Sequence, residues 1–411
     1  MAESALNFAF PSNASSPTPF TIQVDQGFVD ESTLKASLYR PSIDILDDSN
    51  DNWLEGPPSA NMTALADYWA NEYDWTTQQD YINGNHSHFA ITVPETPAWP
   101  HEVPLHFIHE RANDEEALPL LLLHGWPSTS MEWHKVIGPL VSPDNASFAG
   151  HHVVAPDLPG FGFSPAVTHA GFDAKAIAGV MDDLMGRLGY DRYGIVSTDL
   201  GWWVTMKMLE VVRSGRIVGH FCDFFLVQAT AEDTERYMKN QTTPEETRYM
   251  ASSMEWYAQH TGYQYVQQLQ PLAVGQAFSD SPVGFAGWVW HLLESVSDGY
   301  PYSFDEIITT ALSLFVQGTY GNLRYYKYAL DPAAFVLERT NVPTGVSQWG
   351  LGSPGSKFPG IADLNFAPRS WLERMANIRE VYRHPSGGHF PALSEPSSWA
   401  ADVLHFFQTC I

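Results

Sequence analysis

"YGIVSTDLGWWV", Tyr193 to Val204, runs an apolar stretch into a short polar corner and out again into a second apolar stretch. The first half reads as a buried strand and the second as the start of a helix. A chain that passes from strand to helix this abruptly needs small residues two before and two after the turn. Centred on Ser197 those flanks are Ile195 and Asp199, neither of them small; centred on Asp199 they are Ser197 and Gly201, and both fit. Asp199 is therefore the better residue for the corner. The alternative is that Asp199 only caps the following helix, as aspartate often does.

The surrounding chain supplies the rest of the sheet. "LPLLLLHGWPS", "HHVVAPDLPGFGFS" and "DRYGIVSTDLGWW" are apolar runs that each stop at a Gly- or Pro-containing turn, with helical stretches between them. Continuous apolar strands alternating with helices predict a mostly parallel central sheet covered on both faces. Residues 1–110, rich in Asn, Ser, Pro and Trp, read as a meandering N-terminal segment that feeds a first hairpin through "SHFAITV". The core begins at 111 and runs to 229, a helical insertion follows over 230–328, and strands resume in 329–411 with "TNVPTGVS" and "IREVYRH" before an amphipathic terminal helix.

Composition removes several classes of function. With 411 residues, 44% of them hydrophobic, the chain can bury one large core with an extra subdomain. Its 21 basic and 47 acidic residues give a formal charge of -26, which repels phosphate backbones and anionic lipid surfaces and argues against nucleic acid as a partner. The two cysteines, Cys222 and Cys410, exclude a disulfide scaffold, and the 16 histidines are too scattered to form a ligand set, so neither metal nor cofactor is expected. No apolar run is long enough for a membrane span, and the first residues lack the features of a signal peptide. Sequons at Asn13, Asn61, Asn85, Asn145 and Asn240 fit a secreted protein, against a slight lean to the cytoplasm. A homodimer is left open.

A carboxylate at the corner dictates its own chemistry. Its attack on an ester or amide would give an anhydride, whereas displacement at a saturated carbon leaves a stable alkyl ester; the electrophile is then an epoxide or an alkyl halide. The loop "HGWPSTSMEW", His124 to Trp133, stands where its Trp126 amide, with the Leu200 amide after the corner, can hold the oxygen of such an ester. His389 follows two glycines just beyond the last expected strand, in the order nucleophile then histidine; His384 is the structural alternative.

With these residues assembled, the chain resembles the epoxide hydrolase family of the microsomal type, which has the α/β-hydrolase fold with a helical lid. "FTIQVDQGF", "LADYWANEYDW" and "LHFIHERANDEEALPLLLLHGWPSTSMEW" look like the family's wrapping segment and first strands, and "DLPGFGFS", "SDSPVGFAGWV" and "GGHFPALSEP" are similar to its other recurrent stretches. The resemblance implies two lid tyrosines that hydrogen-bond the epoxide oxygen. "TGYQYVQ" offers Tyr263 and "GNLRYYKYAL" offers Tyr326, with Tyr265, Tyr325 and Tyr328 as neighbours that only the pattern separates. A phenol can donate to an oxygen that becomes an alkoxide as the ring opens. The small-molecule epoxide would be apolar or aromatic, to match a lid rich in Trp, Tyr and Phe.

Two departures stand out. The corner reads Thr198-Asp199-Leu200-Gly201 where the family usually has Gly-Asp-Trp-Gly. The family also places the acid that orients the histidine two residues after a Phe-Pro that follows "VPTGVS"; here an insertion intervenes and that position is Ile361. Asp363, the single acidic residue between Glu338 and Glu373, is assigned the role. The doubt over this acid motivates a second reading, cyclisation or rearrangement of an epoxide by the same pocket; a third, a non-catalytic ligand-binding member of the fold, stands because fold does not guarantee function. Dehalogenation fits less well, since halide sites favour Trp or Asn donors over phenols.

Overall fold

In the computed structural model the described residues are 6–11, 14–45, 52–352 and 355–411; Asn13 of the first sequon, and Ser353 and Pro354 in the insertion, lie outside them. The apolar runs form the middle of a nine-stranded sheet among the described residues. Its strands are β1 (Thr18–Pro19), β2 (His88–Val93), β3 (Val103–Glu110), β4 (Pro119–Leu123), β5 (His152–Pro156), β6 (Tyr193–Ser197), β7 (Ile217–Cys222), β8 (Pro343–Trp349) and β9 (Asn377–His384). They lie side by side in the order β1-β2-β3-β5-β4-β6-β7-β8-β9. Strands β1, β2, β3 and β5 pair antiparallel, and from β5 to β9 every pairing is parallel.

The four leucines of β4 show why the central strands are apolar without alternation. Leu121 and Leu123 enter one buried cluster, Leu120 and Leu122 the other, because successive side chains leave opposite faces of a sheet that is covered on both. Each fully buried leucine contributes roughly 1.5–3 kcal/mol. On one face lie helices Ala174–Arg187 and Asp199–Val211; on the other, helix Pro396–Thr409 packs Trp399, Val403, Phe406 and Phe407 against the strands.

Between β7 and β8 the elements are all helical, from Ala231–Met238 to Tyr325–Ala329. Several start on reciprocal caps: Thr243 with Glu246, and Ser303 with Glu306, each exchange side-chain and backbone hydrogen bonds. The N-terminal segment packs onto these helices. Trp53 meets Trp290, Phe28 meets Phe315, and the Tyr68 hydroxyl donates to Asp305 at 3.0 Å. No helix among the described residues is long and apolar enough to cross a membrane.

Candidate active site

Strand β6 ends at Ser197, Thr198 is still extended, and Asp199, the first residue of the helix, takes φ +40°. The left-handed region is costly for most residues, and aspartate is among the few that occupy it. Gly201 answers to close approach: a Cβ there would stand 2.2 Å from the Leu123 carbonyl oxygen. Ser197 points into the sheet instead, fully buried, with its Oγ 2.9 Å from His220 Nε2. Asp199, not Ser197, is therefore the side chain presented to the cavity.

Its two carboxylate oxygens have different surroundings. Oδ1 accepts the Trp126 backbone N–H at 2.8 Å, and Oδ2 lies 3.6 Å from His389 Nε2. Trp126 is itself fixed from the lid side, its indole N–H donating to Asn322 Oδ1 at 3.1 Å while the Asn322 amide donates to the Leu314 carbonyl at 2.9 Å. Nothing in the sequence pattern marks Asn322. His124, two residues earlier in the loop, is buried and spans Gly125 O and the Leu158 amide, so it holds two loops together.

Helices Gly262–Leu269 and Tyr325–Ala329 bring Tyr263 and Tyr326 over Asp199. Their rings meet edge to face at 5.6 Å; Trp126 stacks on Tyr263 at 5.6 Å and meets Tyr326 edge-on at 5.9 Å. Burial, and then the nearby charge of Asp199 and the neighbouring phenols, push both hydroxyls well above the ordinary tyrosine range, so each stays a proton donor. The Tyr263 oxygen also accepts from Gln264 Nε2 at 2.9 Å, a partner the sequence reading misses. Among the neighbours, Tyr265 lines the same cavity but is mostly exposed, Tyr325 turns its ring to Phe161, and the Tyr328 oxygen accepts from the Gly171 amide and Arg324.

His389 arrives on a loop in which Gly387 and Gly388 have φ +128° and +70°, values that exclude most side chains. Its amide donates to Val296 O at 2.9 Å, and its ring stands edge-on to Phe224 at 5.4 Å. His384 is elsewhere: it stacks on Trp349 at 3.7 Å and pairs with Asp402 at 2.7 Å.

Asp363 is not brought to His389. The insertion closes on itself through a hydrogen bond from the Leu351 amide to Ala362 O, which leaves Asp363, one residue further, facing helix Pro244–Gln259. There it pairs with Arg248 at 3.3 Å, and its amide donates to Ser252 Oγ. Asp199, Leu200, Trp126, Tyr263, Tyr326 and His389 line one cavity of about 650 Å³; Asp363 does not.

A family profile described as epoxide hydrolase N terminus matches residues 17–133, and one for the α/β hydrolase fold matches residues 119–201. Epoxide hydrolase 1 of Sus scrofa is 27% identical over 384 residues, covering 84% of this chain and 79% of its own length. The chain is similar to epoxide hydrolases over most of its length. Its fold is shared with the juvenile hormone epoxide hydrolase of the silkworm Bombyx mori, at TM-score 0.83 and 23% identity over 96% of this chain and 95% of that one. The Aspergillus niger epoxide hydrolase superposes with TM-score 0.79 and 22% identity over 98% and 99% of the two chains. The α/β-hydrolase core presents Asp199 to the cavity, and the helical layer presents Tyr263 and Tyr326 to it.

Proposed function

We propose that this epoxide hydrolase opens an apolar epoxide to a vicinal diol through an ester on Asp199. Oδ2 attacks a ring carbon and that C–O bond breaks. The departing oxygen is held, and protonated, by Tyr263 and Tyr326. His389 Nε2 then takes a proton from water, whose oxygen adds to Cγ of the ester. The Trp126 and Leu200 amides hold the oxyanion on Oδ1, and collapse expels the second diol oxygen, which takes the proton back from His389; the other proton of the added water, left on the regenerated carboxyl, returns to the tyrosinate, so that Asp199 is again a carboxylate and both phenols are protonated.

The observation that carries this reading is the unequal environment of the carboxylate. Oδ1 sits on a backbone N–H where an oxyanion would form, and Oδ2 is left on the side of the imidazole. The apolar substrate class rests on the cavity walls, which include Phe225, Val227, Met250, Trp256 and Phe335.

The His389→Gln variant tests the scheme. Mixed with a reactive epoxide, it is expected to keep a covalent adduct on Asp199 that mass spectrometry of the peptide detects. If no adduct forms with any reactive epoxide, the ester mechanism is wrong. Internal cyclisation, the reading that the distance of Asp363 from His389 favours, is separated by multiple turnovers in ¹⁸O-labelled water, because a cyclised product stays unlabelled.

A further inference from the structure

With Asp363 paired to Arg248, the ester mechanism lacks the carboxylate that sets the tautomer of His389 and balances its positive charge. Another carboxylate stands one strand inward from β8, at the end of β7. In the register of β6 and β7, Ser197 pairs with Cys222, so the next residue of β7, Asp223, stands level with Thr198 beside the Asp199 corner. Asp223 is buried and lines the same cavity as Asp199 and His389, and the ring of the following residue, Phe224, rests on the His389 imidazole.

The Asp223 carboxylate is anchored at one end only. Oδ2 accepts the Trp399 indole N–H at 2.6 Å, which fixes the side chain from the C-terminal helix. Oδ1 is buried and has no hydrogen-bond partner among the described residues. A buried carboxylate oxygen without a donor costs about 1–3 kcal/mol, so such an oxygen needs an explanation. Asp298, which also meets the histidine loop, takes the Gly387 amide at 2.6 Å and is not part of the cavity wall.

We propose that Asp223 is the residue that positions His389, its Oδ1 receiving the imidazole Nδ1–H while Nε2 faces Asp199. Burial lifts the Asp223 carboxyl to about 6, and the Thr198 hydroxyl, the Trp399 indole and the charge of His389 all act to lower it. Thr198 replaces the glycine usual at that place and sets a buried hydroxyl beside the Asp223 carboxylate. Hydrogen bonds of this kind are commonly long in the unliganded enzyme and tighten when substrate is bound. The orienting acid has thus moved from the loop after β8 to the end of β7, where the long insertion cannot displace it.

The proposal rests on the Asp199 ester reading, and the experiment separates the two. In Asp223→Asn, which keeps an acceptor for Trp399, alkylation of Asp199 should proceed at the normal rate while hydrolysis slows roughly 10²- to 10⁴-fold, so the ester accumulates during turnover. Asp223→Glu should recover part of the hydrolysis rate, and Asp363→Asn should leave both steps unchanged. An unaltered hydrolysis rate in Asp223→Asn, or a stalled ester in Asp363→Asn, overturns the assignment. Absence of an adduct in His389→Gln would instead sink the ester mechanism.

A measurement on the unsubstituted enzyme covers the case in which Asp223→Asn does not fold. ¹⁵N-histidine NMR should find His389 protonated on Nδ1, a tautomer retained in Asp363→Asn. The opposite tautomer overturns the proposal.

Discussion

At the scale of single residues, the chemistry turns on which side chain the strand-to-helix corner presents. Ser197→Ala should leave turnover unchanged and cost about 1–3 kcal/mol of stability, since its hydroxyl meets only the buried His220 ring. Steady-state kinetics and urea unfolding check both halves. Tyr263→Phe and Tyr326→Phe should each slow ester formation by about 10²- to 10³-fold, the usual effect of removing one donor from a developing oxyanion. Single-turnover measurement of the Asp199 adduct reads that step directly, with hydrolysis of the preformed ester little changed. The two phenols also lean on each other and on Trp126, so the double variant should fall short of the product of the singles.

At the scale of elements, the loops around the corner are held by a second carboxylate that takes no part in the reaction. Asp157, at the end of β5, accepts the Ser130 amide at 2.7 Å through Oδ1, and the Phe163 amide at 2.8 Å and His106 Nδ1 at 2.7 Å through Oδ2. His106 in turn meets His88, which reaches the Ile82 carbonyl, so one chain of contacts ties β5, β3, β2 and helix Trp75–Asn85. Although burial opposes it, the charges and donors of His106 and the loop amides hold Asp157 down to about 2. A depressed carboxyl adds stability above its unfolded value and loses it only as pH falls through about 2, so this clamp is intact throughout the neutral range. Asp157→Asn should cost about 3–5 kcal/mol in urea unfolding, because it leaves a buried partner without its charge. The corner and the loop after β4 are legible in the sequence because sharp backbone turns demand small residues at fixed offsets. The proposed orienting acid is not, since Asp223 follows an ordinary buried strand and comes to share a cavity with His389 only through tertiary packing, whereas Asp363 is the single acidic residue near Phe358-Pro359 in the sequence.

At the scale of the whole molecule, a chain of formal charge -26 has gathered three acidic side chains around one site. Glu132 is buried; burial, followed by the charge of Asp223 and then that of Asp199, drives its carboxyl well above the ordinary range, although Ser128 and Gly125 act to lower it. The folded protein keeps a proton there that the unfolded chain gives up above the ordinary glutamate value, so stability must fall as pH rises beyond it. Asp223 adds to the same slope up to about pH 6. Glu132→Gln should flatten the decline in stability above the ordinary glutamate value by up to about 1.4 kcal/mol per pH unit. Denaturant unfolding at several pH values checks it, and an unchanged slope would mean that Glu132 is ionised in the native state. The parallel sheet is readable from its apolar runs, and so is the helical character of 230–328. The arrangement of those helices is not, because their aromatic faces carry no signal that tells a partner in the N-terminal segment from one in the core.

The hydrogen bond from the Trp126 amide to Asp199 Oδ1 also gives the enzyme a one-atom memory. In the ester mechanism the oxygen that leaves with the diol is Oδ2, and the oxygen that replaces it comes from water. Each product molecule therefore carries an oxygen captured from solvent in the preceding cycle. Pinned by its amide, Oδ1 never exchanges, so enzyme returned from ¹⁸O water should hold one heavy atom at Asp199 and hand it to the next substrate in ordinary water.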